Sequence, residues 1–335
     1  MADATFEESR LATVFGGSGF LGRHIVRALV RRGWRVRVAV RRPELAWFLQ
    51  PIGGVGQVEA VQANLRYPAS IAAALEGAEM AVNAAGVKAE TGAQTYRAVH
   101  VDGAAALARA AKAAGVETFA LISGLGADPK SWSPYIASKG LGEEATLAEY
   151  PGATILRPSV VFGPEDDFFN RFGALAKFLP VIPLFAGGKT RLQPVYAGDV
   201  GRAAAAALAG ESRPGAIYEL GGPEVMTLRA AAEFTLRAID RRRLLIGLPY
   251  TPSVFIASTT SFVSKATLGL FPKLLTTNRD QIDLLAFDNV VSDEAEAEGR
   301  VLSALGVAAQ AIDAIVPSYL VRFRKTGQYE LQRSG

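Results

Sequence analysis

Residues 10–44 constrain the fold more than any other part of the 335-residue chain. Residues 11–15 are an apolar run typical of a short buried strand, and three glycines follow it at a spacing of three: Gly16, Gly19 and Gly22. The next stretch, HIVRALVRRG, has the spacing of an amphipathic helix, and WRVRVAV alternates as a second strand. Glycines between a strand and a helix form a turn whose backbone N–H groups bind phosphate. This stretch therefore predicts a dinucleotide-binding βαβ unit.

The residues after the second predicted strand indicate which dinucleotide is bound. NAD-binding proteins place a carboxylate about 20 residues beyond the glycines, where it accepts a hydrogen bond from the ribose 2′-hydroxyl. Here that position reads Val40-Arg41-Arg42. Two guanidinium groups suit a 2′-phosphate, so the sequence predicts NADP(H) over NAD(H). Pro43 also fits a helix start, at which the two arginines would simply be solvated.

Strand and helix patterns continue to alternate through residue 123, which predicts an α/β fold with a doubly wound parallel sheet. Ligands bind at the carboxyl ends of such strands. The residues at the next predicted strand ends are Asn64, Leu65, Ala84, Ala85, Gly86 and Ser123. A helix opening near Pro134 then places Tyr135 and Lys139 one turn apart on one face. An ammonium beside a phenol favours the phenolate, so this pair suits proton transfer, although such pairs are also common on helix surfaces.

These motifs together resemble the short-chain dehydrogenase/reductase superfamily and its Rossmann-type domain. The resemblance rests on GxxGxxG at 16–22, NAAG at 83–86, Ser123, YxxxK at 135–139 and LRPSVVFGPEDD at 156–167. It implies that Tyr135 is the acid/base, that Lys139 lowers its pKa and binds the nicotinamide ribose, and that Ser123 holds a substrate carbonyl. The cofactor contacts that it implies are Gly16, Ser18, Gly19, Phe20, Leu21, Gly22, Arg41, Arg42, Asn64, Leu65, Ala84, Ala85, Gly86, Tyr135, Lys139, Pro158, Ser159 and Val161.

One position departs from that pattern. His100 stands where active members often keep an asparagine in a proton relay. It could substitute in the relay, interrupt it, or be a packed helix histidine.

The second half is similar to atypical members close to the nucleotide-binding accessory subunit of respiratory complex I. The motifs FGPEDDFFNRF, FDNVVS and PSYLVRFRKTGQY carry this resemblance, which extends over residues 10–330. It implies an NADP(H)-binding protein with complex I or quinone-related membrane proteins as partners. The first alternative is an active NADPH-dependent oxidoreductase acting on a hydrophobic carbonyl or a quinone-related substrate. The second is an assembly factor for ubiquinone biosynthesis.

Composition and patterning set further expectations. The chain has no cysteine and only two histidines, so we expect no metal site. The net charge of +4 is modest, and basic residues do not alternate with an aromatic platform, so we expect no nucleic-acid partner. Without a leader or membrane-spanning pattern, a cytoplasmic protein is expected, peripheral on the inner face of the membrane.

The predicted domains are a Rossmann domain at 1–160, completed by about 190–210, and a smaller lobe at 161–189 and 211–335. Basic residues 241–243 precede Phe- and Leu-rich stretches that reach residue 285. This part is interpreted either as a substrate-binding subdomain covering the cleft or as a docking surface for a membrane or membrane-bound partner. Asp199 is expected to cap the alanine-rich helix after it.

Overall fold

A computed structural model describes residues 10–249, 279–325 and 327. Its strands are β1 (Leu11–Phe15), β2 (Arg35–Val40), β3 (Val58–Gln62), β4 (Met80–Asn83), β5 (Thr118–Ile122), β6 (Thr154–Pro158), β7 (Val161–Phe162), β8 (Val181–Leu184), β9 (Arg191–Leu192), β10 (Val195–Tyr196), β11 (Ile217–Leu220), β12 (Met226–Thr227) and β13 (Leu244–Gly247).

The helices are α1 (Phe20–Arg31), α2 (Pro68–Leu75), α3 (Asp102–Ala113), α4 (Pro134–Glu149), α5 (Phe169–Phe178), α6 (Ala197–Leu208), α7 (Leu228–Ala238), α8 (Arg279–Leu284), α9 (Asp293–Ala297) and α10 (Ile312–Leu320). A π-helical turn, Arg97–Val101, runs directly into α3. By internal contacts the chain divides into a first unit of Met1–Pro158, Ala197–Leu220 and Val291–Ala309, and a second unit containing the rest.

The first unit is built on a seven-stranded sheet of order β11-β6-β5-β4-β1-β2-β3. Every pairing in it is parallel. The chain starts in the middle at β1, winds outward to β3, then returns to β4 on the other side of β1. The order therefore reverses between β1 and β4, and a crevice opens there at the carboxyl ends of the strands. The predicted α/β doubly wound fold is confirmed.

Helices cover this sheet because the parallel strands are apolar on both faces. Helix α1 packs against α6, while α2, α3 and α4 pack against one another. A Cβ on Gly201 of α6 would lie 2.6 Å from the carbonyl oxygen of His24, so α1 and α6 cross at close range. The hydrophobic core under α2 and α3 includes Ile71, Leu107 and Phe119.

The second unit has its own core, which includes Phe162, Phe169, Phe234 and Leu320 from short strands and helices. Its strands form three two-stranded sheets, pairing β7 with β10, β9 with β12, and β8 with β13. A buried hydrogen bond of 2.6 Å from the Tyr319 hydroxyl to Asp166 joins α10 to the loop before α5. Asp166 also accepts hydrogen bonds from the backbone N–H groups of Gly163, Phe168 and Asn170, which fix that loop.

Several sequence expectations differ from this arrangement. The apolar pattern of residues 153–162 predicts a single strand, but two form, because the chain leaves the main sheet after Pro158 and pairs β7 with β10 instead. The GGKTRLQPVY segment, which was expected to return the chain to the main sheet, forms β9 and β10 within the second unit. Residues 211–220 and 291–309 group with the first unit, whereas the predicted lobe contained them.

Asp199 is not a helix cap. The helix begins two residues earlier, and Asp199 lies fully buried in its first turn, paired with Arg202 at 2.7 Å. The apolar segment around residues 250–278 lies outside the described residues. In the part that the structure describes, no helix is long and apolar enough to cross a membrane.

Candidate functional site

The glycine turn after β1 is shaped by close backbone contacts. Gly16 has φ +77°, and a Cβ there would lie 2.8 Å from the Cα and N of Ala85. A Cβ on Gly22 would lie 2.2 Å from the carbonyl oxygen of Gly16. Only glycine fits at these two positions, because the turn packs on the end of β4 and α1 packs on the turn.

Helix α1 begins at this turn with Gly19 as its N-cap and no acidic residue in its first turn. The first N–H groups of a helix have no intrahelical partner and carry partial positive charge, so they attract an anion. Arg23 adds positive charge beside them. Its Nε and Nη2 atoms donate to the carbonyl oxygens of Gly19 and Ser18, each at 3.3 Å. The Arg23 guanidinium also lies 4.9 Å from the ring centre of Phe48.

A groove of about 220 Å³ opens over the carboxyl ends of β1, β2 and β4. Nine of the predicted cofactor contacts line it: Gly16, Ser18, Gly19, Arg41, Asn64, Leu65, Ala84, Ala85 and Gly86. Phe20, Leu21, Gly22 and Arg42 are not part of the lining, although the first three open α1 directly behind the turn.

Arg41 gives this groove its charge. It follows β2 immediately and is exposed, and it forms no ion pair within the described part of the chain. Among the described residues that line the groove, none is a carboxylate. After the end of β3, the side-chain oxygen of Asn64 accepts a hydrogen bond from the backbone N–H of Arg66 at 3.1 Å. This bond fixes the loop between the two residues.

Farther along the same strand ends, a small cavity is lined by Ser123, Lys139, His100 and Asn83, among others. The Ser123 hydroxyl is buried, and no atom of the described residues forms a hydrogen bond with it. The Lys139 ammonium lies 3.5 Å from the carbonyl oxygen of Ile122, and burial lowers the pKa of Lys139 to about 8 against a smaller opposing effect of Glu143. A buried hydroxyl without a partner is costly, so the Ser123 Oγ is available to a hydrogen-bonding group that enters this cavity.

Tyr135 lies in a cluster of three aromatic rings and does not line that cavity. Its ring meets those of Tyr96 and His100 edge to face, with centroids 5.6 and 5.7 Å apart. Burial raises the pKa of the Tyr135 phenol. In the protein alone this direction is opposite to the lowering expected from Lys139, because loss of water disfavours the phenolate. At neutral pH the phenol is a proton donor.

His100 is held at both ring nitrogens. Its Nε2 accepts from the Val87 N–H at 3.0 Å, so the proton of the neutral ring lies on Nδ1 and is donated to the Ser138 hydroxyl at 2.9 Å. That hydroxyl in turn donates to the Tyr135 carbonyl at 2.7 Å. Burial, and secondarily the charge of Lys139, lowers the pKa of His100 to about 3. His100 is therefore a neutral residue that joins the loop after β4 to α4, and it has no free nitrogen for a proton relay.

The last three implied cofactor contacts, Pro158, Ser159 and Val161, lie in different places. Pro158 ends β6, and its carbonyl accepts from Leu125 N–H at 2.9 Å. Ser159 and Val161 belong to the second unit. The Ser159 hydroxyl lies 2.7 Å from the Asn289 side-chain oxygen, and Val161 pairs with Val195.

Sequence reasoning missed three residues of the first unit. Asn83 is buried, and its side-chain oxygen accepts from the Ala85 N–H at 3.1 Å, which fixes the loop between groove and cavity. Its position at the end of a predicted strand is the sequence signal that could have identified it. Gln94 lines the groove from a loop without a motif. Arg23 could have been found from its position directly after the third glycine.

The arrangement has the chemistry of a dinucleotide site. The turn packs closely on β4 and α1 because Gly16 and Gly22 lack a Cβ, the N–H groups at the start of α1 suit a pyrophosphate, and Arg41 adds positive charge at the groove. The unpaired Ser123 hydroxyl can donate to a carbonyl oxygen. Within the described residues, no group of three or more His, Asp or Glu is placed to hold a metal ion.

Comparison with known proteins agrees with this geometry. Residues 16–163 match a family model described as NAD(P)H-binding. The chain is 35% identical over 288 residues to NADH dehydrogenase [ubiquinone] 1 alpha subcomplex subunit 9, mitochondrial, of Arabidopsis thaliana, covering 85% of this chain and 72% of that one. It is 41% identical over 177 residues to the ceramide reductase of Caulobacter vibrioides, covering 52% and 54%.

Among solved structures, the Escherichia coli NADPH-dependent quinone oxidoreductase QOR2 complexed with NADPH has a similar fold. The TM-score is 0.68 at 19% identity, and the match covers 92% of this chain and 99% of that one.

Proposed function

Because this chain belongs to the NAD(P)H-binding, short-chain dehydrogenase-like family that includes complex I alpha subcomplex subunit 9, we propose that it is an NADPH-holding accessory protein of complex I. In this role it would be peripheral on the inner face of the cytoplasmic membrane. The turn from Gly16 to Gly22 would hold the pyrophosphate at the start of α1. The groove residues at the ends of β2, β3 and β4 would hold the adenosine half.

The observation that carries the choice of NADPH is Arg41, an exposed guanidinium lining the groove where an NAD-binding protein has a carboxylate. A 2′-phosphate there would gain charge-assisted hydrogen bonds, and NADH offers no group to replace it. None of the groove residues that the structure describes is acidic, so none of them opposes this charge.

The test is Arg41→Ser, with Arg42→Ser as the matched control because Arg42 is also exposed but does not line the groove. Dissociation constants for NADPH and NADH are measured by titration calorimetry. Arg41→Ser should weaken NADPH binding about 10- to 100-fold, as expected for a hydrogen bond to a charged group, and leave NADH binding nearly unchanged. An equal loss for both nucleotides, or no loss, would contradict the proposal.

The partnership is tested by affinity capture of the tagged protein from gently solubilised native membranes. Stoichiometric recovery of complex I subunits supports the accessory role. Recovery of the protein alone, with its nucleotide bound, contradicts it.

A second candidate is a reductase of a hydrophobic carbonyl, and the buried, unpaired Ser123 hydroxyl favours it. The relative named ceramide reductase suggests a lipid carbonyl as the class of substrate. NADPH, when bound, supplies the hydride. Ser123 would donate a hydrogen bond to the carbonyl oxygen, Tyr135 would give it a proton, and Lys139 would hold the nicotinamide ribose.

Turnover is tested with Tyr135→Phe on long-chain ketones. The variant should keep NADPH affinity and lose at least about 100-fold in kcat, the usual size of a proton-transfer contribution. Tyr96→Phe is the matched control, since Tyr96 belongs to the same ring cluster but donates its hydroxyl to the Lys88 carbonyl. Equal activity of wild type and Tyr135→Phe, or no turnover by wild type, would contradict the reductase.

A further inference from the structure

In the second unit, strands β8 and β13 expose an unusually apolar surface. The two strands are parallel, with Val181 opposite Leu244 and Pro183 opposite Ile246. These four residues are named here the apolar strand face. Leu244, Ile246 and Val181 are 61%, 43% and 36% exposed, while the alternating residues Ile182 and Leu184 are buried. Strand residues that point to solvent are normally polar, so an apolar outer face indicates a docking surface.

Arginines border this face. A cavity of about 550 Å³ is lined by Arg229, Arg237, Arg241, Arg242 and Arg243, and Leu244 lines it as well, so cavity and apolar strand face are continuous. Among the lining residues that the structure describes, the carboxylates are Glu233 and Asp240. Positive charge therefore exceeds negative charge by three in the lining, five arginines against two acids.

The end of helix α5 extends the same surface. The Arg243 Nε donates to the Ala176 carbonyl at 2.9 Å, which joins the arginines to this helix end. Phe178 is 70% exposed there, and the Lys177 ammonium lies 5.6 Å from its ring centre. An aromatic ring and a cation thus stand next to the strands and the arginines.

Two of the arginines are free to meet a ligand. Arg241 and Arg243 are held by hydrogen bonds to the carbonyls of Phe323 and Ala176. Arg237 and Arg242 are exposed, and in the described part of the chain their guanidinium groups have neither an ion pair nor a hydrogen bond.

We propose that the apolar strand face and its arginines bind the surface of an anionic phospholipid bilayer. Aliphatic side chains beside clustered cations match the two attractions that such a bilayer offers, its hydrocarbon boundary and its phosphate groups. A protein interface more often has aromatic and hydrogen-bonding side chains at its centre, whereas the centre here is Val181, Pro183, Leu244 and Ile246. This inference rests on the proposed position at a membrane and supplies the surface and the lipid class.

The experiment is cosedimentation of the full-length protein with vesicles. One set contains phosphatidylcholine alone, and the other contains phosphatidylcholine with phosphatidylglycerol. Wild type should bind the anionic vesicles, and high salt should weaken this binding. The double variant Arg237→Glu/Arg242→Glu should lower the partition coefficient at least about 25-fold, since each basic residue near an anionic surface contributes about fivefold. Leu244→Ser/Phe178→Ser should lower it as well.

Matched controls lie in the first unit. Arg31→Glu/Lys112→Glu makes the same charge change, and Val55→Ser replaces a residue that is 99% exposed. These variants should bind anionic vesicles within about twofold of wild type after correction for the lost net charge. Circular dichroism and urea unfolding of each variant show that the second unit stays folded. Unchanged NADPH affinity shows that the nucleotide site, which is in the other unit, is undisturbed.

The inference is overturned if wild type binds neither vesicle, binds both equally, or if the surface variants bind like their controls. Binding of an acidic protein to the same arginines without vesicle binding would also overturn it. Capture of complex I without vesicle binding would support the proposed function and contradict this inference. Vesicle binding without capture of complex I would support this inference and contradict the accessory role.

Discussion

Position 100 illustrates how surroundings fix the charge of a residue. The His100 ring accepts a hydrogen bond from one side, donates one on the other, and stacks on Tyr96 with centroids 5.7 Å apart. A second proton would have to be placed on Nε2, against the Val87 N–H and close to the Lys139 ammonium. The sequence pattern left three roles open for this histidine, and the two hydrogen bonds select the packed, neutral one.

This predicts a contribution of His100 to acid sensitivity. The pKa of His100 is about 3 in the folded protein, against 6.5 for a histidine exposed to water. Between these values the unfolded chain binds the extra proton, so stability is lost as pH falls, at up to about 1.4 kcal/mol per pH unit. Urea unfolding of wild type and His100→Gln from pH 7 to pH 4 measures the difference in slope. Equal slopes would show that His100 is protonated in the fold.

Tyr135 and Lys139 match the YxxxK motif of the family, but their pKa values depend on how deeply the two side chains are buried. The phenol pKa is raised and the ammonium pKa is lowered to about 8. Each shift has the same first cause, because water is withdrawn from the charged form. The motif predicts which atoms are present, and the buried environment decides their protonation.

At the scale of elements, the glycine turn joins β1, α1 and β4 through backbone contacts. Among the glycines of this turn, Gly22 has the least space for a side chain. An added Cβ would lie 2.2 Å from the Gly16 carbonyl oxygen and 2.6 Å from the Gly17 Cα. These neighbours are main chain and cannot rotate away. The turn and the first turn of α1 must therefore separate if a side chain is added.

We expect Gly22→Ala to lose NADPH binding about 100-fold or more and to destabilise the protein by about 1–3 kcal/mol, the range for overpacking. Gly152→Ala is the matched control, because its Cβ would meet only the Tyr150 ring at an ordinary 3.5 Å. Titration with NADPH and urea unfolding measure both effects. Wild-type NADPH affinity in Gly22→Ala would show that α1 does not have to pack on the turn.

A second element-scale contact holds the sheet to α4. Arg157 of β6 donates both Nε and Nη2 to Glu143, at 2.9 and 2.6 Å to its two carboxylate oxygens. Glu143 is 3% exposed, so this pair is buried and its geometry is specific. Neither residue was singled out from the sequence, because a Glu and an Arg separated by the end of a helix and a turn have no local signature.

At the scale of the whole molecule, the groove and the catalytic candidates belong to one unit and the apolar strand face to the other. A ligand that binds only folded protein stabilises the part that it contacts. NADPH should therefore act on the unfolding of the first unit.

Differential scanning calorimetry with and without nucleotide measures this effect on the first unit. NADPH at about 100 times its dissociation constant should stabilise the first unit by about 2.7 kcal/mol, which corresponds to roughly 5–10 °C in the melting temperature of a unit of this size. NADH at the same concentration should shift the transition less, because Arg41 has no 2′-phosphate to bind. A common shift for both nucleotides would contradict the role of Arg41.

The sequence by itself determined the fold of residues 10–123, because strand periodicity, glycine spacing and helix periodicity are local signals that agree with one another over this range. It also placed nine of the groove residues at strand ends. The departure of the chain from the main sheet after Pro158 was not predictable. It depends on the pairing of β7 with β10, and β10 lies more than 30 residues farther along the chain. For the same reason, only the tertiary structure decided the neutrality of His100, the raised pKa of Tyr135 and the exposure of the apolar strand face. Burial and hydrogen-bond partners come from distant residues, and a linear pattern carries no record of them.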